Sequence, residues 1–163
     1  MKVYSRTAEE SFTDKKVIDL CHAIEDNNKQ KVIALIADGV NVNAVSKKSS
    51  VTPLIWAIWG QKPNMVKLLI NSGADINKQR EISKETPLKF AAGLIQFDIV
   101  VILLENGADP FIKDAQGYNL SYEVELHYKL RSKNSPQFKN ILKTIEILKE
   151  KGMKLDLVRD EGE

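Results

Sequence analysis

A chain of 163 residues, 43% hydrophobic and 28% charged, has the size and composition of one globular domain and not of a wholly disordered chain. Its one cysteine, Cys21, excludes an internal disulfide and a multi-cysteine zinc site. The net charge of +2 comes from 20 Lys but only 4 Arg, which gives no basic stripe of the kind that reads nucleic acid.

Residues 1–11 form an N-terminal extension, with Glu9 and Glu10 where a secretory signal would be apolar. No stretch approaches the ~18 apolar residues of a membrane span. The chain is therefore expected to be cytoplasmic and away from membranes. Export, for example to a periplasm, is the alternative if a signal was removed ahead of Met1. Val17, Ile18, Leu20, Ala23 and Ile24 then mark one helical face, and Val32, Leu35 and Ile36 a second. Thr52 reads as an N-cap with Pro53 at the first helical position, and Leu54, Ala57 and Ile58 follow on one face. Pro63 opens the next helix, which carries Met65, Val66, Leu68, Leu69 and Ile70 and stops at Gly73. The same order returns with Thr86-Pro87, then Phe97, Ile99, Val100, Ile102, Leu103 and Leu104, then Gly107.

These landmarks keep one period. Thr52-Pro53-Leu54 recurs as Thr86-Pro87-Leu88, 34 residues on. Asn71-Ser72-Gly73-Ala74-Asp75 recurs as Glu105-Asn106-Gly107-Ala108-Asp109, again at 34, and appears 34 residues earlier around Gly39. A weaker copy surrounds Gly152, 45 residues after Gly107 and so 11 beyond the period. The extra length lies near residues 123–138. Leu120, Val124 and Tyr128, with Tyr122, Leu126 and Leu130, extend the helix there. Arg131–Pro136 reads as a loop, and Ile141, Leu142, Ile145, Ile147 and Leu148 form the last helix. Each helix pair is too small to bury its own apolar faces, so the copies must stack.

With Thr-Pro-Leu and Gly-Ala-Asp held 21 residues apart, the sequence resembles the ankyrin-repeat family over roughly residues 12–158. The resemblance implies an all-α solenoid of stacked helix–turn–helix pairs with β-turn fingers. Its four repeats are placed at about 12–44, 45–78, 79–113 and 114–158, followed by an acidic tail, 159–163. The outer two copies are the least faithful, as capping repeats are. It also implies a protein partner bound through the fingers and the concave face, with no cofactor, and a monomer when unbound.

Departures from the family pattern are the places to look for contact. The helix connections carry Gln61-Lys62 and Ile95-Gln96 where the family has Gly-His, and Ile55 and Lys89 stand where it has His after Leu. The fingers, Ser46–Val51 and Gln79–Glu85, are one residue longer than the family norm. Lys48, Ser49, Val51, Arg80 and Ile82 are their expected contact residues. Trp59 is the expected anchor, since exposed aromatics concentrate binding energy, and Leu94 takes a comparable place one repeat along. For both, folding over the helix into a gap between repeats remains the alternative. From Lys129 to Lys154 eight basic residues face two acidic ones. This reads as a solvated cap face, with a patch for an acidic partner as the alternative.

Catalytic chemistry is missing from this pattern. His22 and His127 fall in the first and last repeats, and no nucleophile elbow, phosphate loop or zinc-binding His-Glu-x-x-His occurs. Cys21 reads as a small buried hydrophobe rather than a thiol paired with His22. No catalytic, cofactor or metal residue is assigned. The chain is expected to be a protein-binding module, or more narrowly an inhibitor or immunity protein that occludes a partner enzyme's active site.

Overall fold

The computed structural model describes residues 7–47 and 49–158, and all regular structure among them is helical. In chain order the helices are α1 (Ala8–Ser11), α2 (Lys15–Glu25), α3 (Lys29–Ala37), α4 (Pro53–Trp59), α5 (Pro63–Asn71), α6 (Pro87–Gly93), α7 (Phe97–Glu105), α8 (Leu120–Leu130) and α9 (Phe138–Glu150). Apart from the four-residue α1, they form four helix–turn–helix pairs. Residues 8–11, read from sequence as mere extension, thus fold, with a capping box between Thr7 and Glu10.

Local chemistry sets the helix ends. The Thr52 hydroxyl accepts the Ile55 amide at 3.3 Å, and Thr86 accepts that of Lys89 at 3.2 Å, each with Pro in the first turn. Asp14, Asn28 and Asn119 cap α2, α3 and α8 in the same way. At the other end, Gly73 and Gly107 take φ of +87° and +91°. That reversal lets the Ala74 amide reach Leu69 O and the Ala108 amide reach Leu103 O, both at 3.0 Å. Inside each pair the turn needs positive φ as well. Asn27, Gln61 and Ile95, spaced by 34, adopt +53°, +53° and +62° without being glycine.

The helices divide between two compact units. The first comprises residues up to Asp75 together with Arg80–Ile82. Within it α1 rests on α2, α2 packs against α3 and α4, and α4 packs against α5. Leu20, Ile24, Leu54, Ile58, Met65 and Leu69 fill its core. The second comprises Ile76–Gln79 and the chain from Ser83 onward. There α6 packs against α7 and α8, while α7 and α8 both pack against α9, around Leu88, Phe97, Leu103, Leu120, Val124 and Leu148.

Four residues after Gly39 and after Gly73 stands an asparagine, Asn43 and Asn77, whose side chain bonds to the next copy. Asn43 donates to Gly73 O at 2.9 Å and accepts the Asp75 amide at 2.7 Å. In the second unit Asn77 accepts the Asp109 amide at 2.9 Å. The next residue in this series is Phe111, which cannot bridge and is left 46% exposed. The period lengthens from that point. α8 runs 11 residues against 7 for α4 and α6, which absorbs part of the extra sequence.

Candidate partner-binding site

In the first unit an aromatic row crosses α4. Trp56 is buried, receives Phe12 edge-on at 6.1 Å, and donates its indole N–H to Glu25 at 3.0 Å. Trp59, at the last position of α4, sets its ring edge-on against Trp56 at 5.7 Å and stays partly exposed. Trp59 thus packs on its own helix and keeps part of its surface exposed. Phe12 escaped sequence reasoning, because a lone apolar residue before a helix carries no signal of what it will cover.

The first finger is tied from within. Ser46 N–H donates to Val51 O at 2.9 Å, Val51 N–H to the Ser46 hydroxyl at 3.0 Å, and the Ser46 and Ser49 hydroxyls lie 2.9 Å apart. Arg80 Nε donates to Ser49 O at 3.3 Å, and the Ser50 hydroxyl donates to Glu81 at 3.4 Å. These bonds bring Ser49 and Arg80 together. Ile82 is 85% exposed. Val51 departs from expectation: it is 6% exposed, because the finger folds its side chain inward, and so it supports the loop without facing a partner. Lys48 lies outside the described residues. Leu94 belongs to the second unit, 39% exposed at the C-cap of α6. At the 34-residue offset its counterpart is Gly60, and the counterpart of Trp59 is Gly93, so Leu94 does not repeat the Trp59 position.

The second unit contains a polar cluster that sequence reasoning missed. Lys89 is 4% exposed; its ammonium pairs with Asp114 and donates to Tyr118 O at 3.3 Å. Burial pushes the Asp114 carboxyl up, but the bonds from Lys89 and from the Tyr118 and Gln116 amides outweigh it and hold the pKa below the usual value. Glu123 moves the other way. Burial raises its pKa, Lys89 opposes, and Glu85 and Asp114 add to the rise. His127 lies 3.7 Å from Glu123 through Nε2, with its ring edge-on to Phe97 at 5.6 Å. Burial, with Arg131 nearby, lowers its pKa. The one available signal was Lys89 itself, an ionic residue on an otherwise apolar helix start.

His22 pairs with Glu9 at 2.9 Å, and burial, reinforced by Glu25 and Glu9, raises the Cys21 thiol far above its ordinary pKa. Among the described residues no group of three or more His, Cys, Asp or Glu is placed to hold a metal. None of the described helices is long and apolar enough to cross a membrane.

The repeat geometry has a direct counterpart in known proteins. Residues 20–114 match the model of a family described as ankyrin repeats, in three copies. The chain belongs to the ankyrin-repeat family. Its fold is similar to the ankyrin repeat domain of Bcl-3, described as a unique member of the IkappaB protein family, with a TM-score of 0.62 and 27% identity. That match covers 76% of this chain and 50% of the other, so the chain spans about half the length of the solved structure. No curated protein matches the sequence. Ankyrin repeats are protein–protein interaction modules, and their fold is typically a non-catalytic scaffold.

Proposed function

We propose that this ankyrin-repeat chain binds a folded partner protein through its finger turns and the exposed end of α4. Trp59 is the anchor, and Ser49, Arg80 and Ile82 are the finger contacts, all within the first unit; Leu94 is a separate candidate contact of the second unit by itself. The observation that carries the reading is Trp59: a large ring, partly exposed, held in place by Trp56. A rigid aromatic loses little side-chain entropy on binding, which is why such residues dominate interface energetics. Ile82 adds support as the most exposed large hydrophobic among the described residues, at a position a soluble surface does not need.

The test is a photo-crosslinking amino acid placed at Ile82. It should yield one stoichiometric adduct with a folded protein, and the adduct should vanish when unlabelled chain competes. Adducts spread over many proteins, without competition, would contradict the reading. The captured partner also decides the narrower role. If it is an enzyme that loses activity on equimolar mixing, the chain is an inhibitor; if its activity persists, the chain is a scaffold.

A further inference from the structure

We infer that the groove between α3 and α5 is a second binding site, which takes an extended acidic peptide segment. It uses none of the residues of the Trp59 and finger surface, and so goes beyond that reading. The groove follows from how the first unit packs. α2 packs against α3 and α4, and α4 against α5, whereas α3 and α5 have no comparable contact. The matching helices of the second unit, α7 and α9, do pack directly. Between α3 and α5 a space of about 490 Å³ is left, lined by Asn27, Lys29, Asn64, Lys67, Leu68 and Asn71.

Local structure holds both walls in place. At the α2–α3 turn the Asn27 amide donates to Ile24 O at 3.0 Å and the Asn28 amide to Ala23 O at 2.9 Å. The Asn28 side chain then caps α3 through the Lys31 amide at 3.0 Å, which sets Asn27 and Lys29 on one wall. On α5, Asn64, Lys67, Leu68 and Asn71 fall at i, i+3, i+4 and i+7 and so share one face. Buried Met65 and partly buried Leu68 give the groove an apolar floor.

The polar groups of the groove are left over from folding. Other asparagines serve the fold: Asn28 and Asn119 cap helices, Asn43 and Asn77 bridge copies, and Asn106 donates to Ile102 O. Asn64 and Asn71 make no such bond among the described residues, although both stand on a helix, where asparagine is unfavourable. The described lysine ion pairs use Lys16, Lys89, Lys129 and Lys143 and leave out Lys29 and Lys67. No carboxylate lines the groove. Of the acids nearest in sequence, Glu25 accepts the Trp56 indole N–H, Asp38 pairs with Lys16, and Asp26 is exposed outside the lining. The groove therefore suits a negatively charged occupant.

Length separates a peptide from a small anion. Asn64 and Asn71 stand seven positions apart, roughly 10 Å along the helix axis. About three residues of extended chain cover that span. A carboxamide donates and accepts as a peptide group does, so Asn64 and Asn71 can hold main chain at the two ends. Lys67 between them and Lys29 on the opposite wall then take acidic side chains.

The experiment is an NMR titration of the full chain with the capped peptide Gly-Asp-Leu-Glu-Gly, beside its neutral counterpart Gly-Asn-Leu-Gln-Gly and inorganic phosphate. The acidic peptide should shift the side-chain amide signals of Asn64 and Asn71 together and saturably. The neutral peptide should bind about tenfold more weakly, since each exposed charge pair is worth up to about fivefold. Lys67→Gln should weaken acidic-peptide binding about two- to fivefold, with an unchanged unfolding midpoint because Lys67 is exposed. Phosphate should bind more weakly than the acidic peptide and leave at least one of the two asparagine signals in place. Equal binding of the two peptides, no saturable shift, shifts centred elsewhere, or an unaffected Lys67→Gln would overturn the proposal. Phosphate that reproduces the shifts and affinity of the acidic peptide would also overturn it, by reducing the groove to an anion site. Crosslinking at Ile82 reads the other surface, so the failure of either test leaves the other standing.

Discussion

Gln61 holds φ at +53° on the surface, in a turn where the family carries glycine. A side chain in the left-handed region costs roughly 1–2 kcal/mol, and part of that returns when glycine loosens the unfolded chain. Gln61→Gly should therefore stabilise the protein by about 1 kcal/mol in urea unfolding, and a lower midpoint would contradict the strain. Lys89 and Asp114 form a buried pair with unequal members. Asp114 also holds two finger amides, so Asp114→Ala strands the Lys89 ammonium and opens the finger together, for a loss of about 3–5 kcal/mol. Lys89→Met leaves those amides bonded and should cost clearly less; the reverse order in urea unfolding would refute this account of the finger. His127 supplies a pH signature. Its folded pKa is lowered, so its neutral form contributes stability that is whole above the ordinary imidazole value and fades as pH falls through the folded one. Between pH 7.5 and 5.5 the wild type should lose stability relative to His127→Leu, and parallel curves would show that the ring does not titrate differently in the fold.

At the scale of helices, Leu69 in α5 and Leu103 in α7 occupy matching places and are fully buried. Truncating either to Ala should cost about 2–5 kcal/mol in urea unfolding, the range for a cavity in a packed core. A loss under about 0.5 kcal/mol would mean that these helices do not pack as described. Both residues were legible in the sequence, as were the helix ends. Thr52 and Thr86 can cap, Gly73 and Gly107 can reverse the chain, and few residue types can replace them. What stayed hidden has a common cause in tertiary contact. Phe12 matters only because α1 lies where Phe12 can meet Trp56, and Lys89 finds Asp114 across 25 residues of chain. Val51 was misjudged because a finger that bonds to itself through Ser46 turns one of its side chains inward, which spacing cannot reveal.

For the whole molecule, the family points to recognition as the output, since ankyrin repeats are protein–protein interaction modules. The family was legible because its period is written in caps and turns; the contact surface was less so, because family membership says that a protein is bound and leaves the partner open. Trp59 carries the central claim, and one variant tests it through two readings on the same sample. Trp59→Ala should weaken the complex with the crosslinked partner by roughly 2 kcal/mol or more, the range of an interface anchor. It should cost folding only about 1 kcal/mol, the worth of the edge-on contact with Trp56. Unchanged affinity with a larger loss of folding stability would contradict the account and place Trp59 among the core residues.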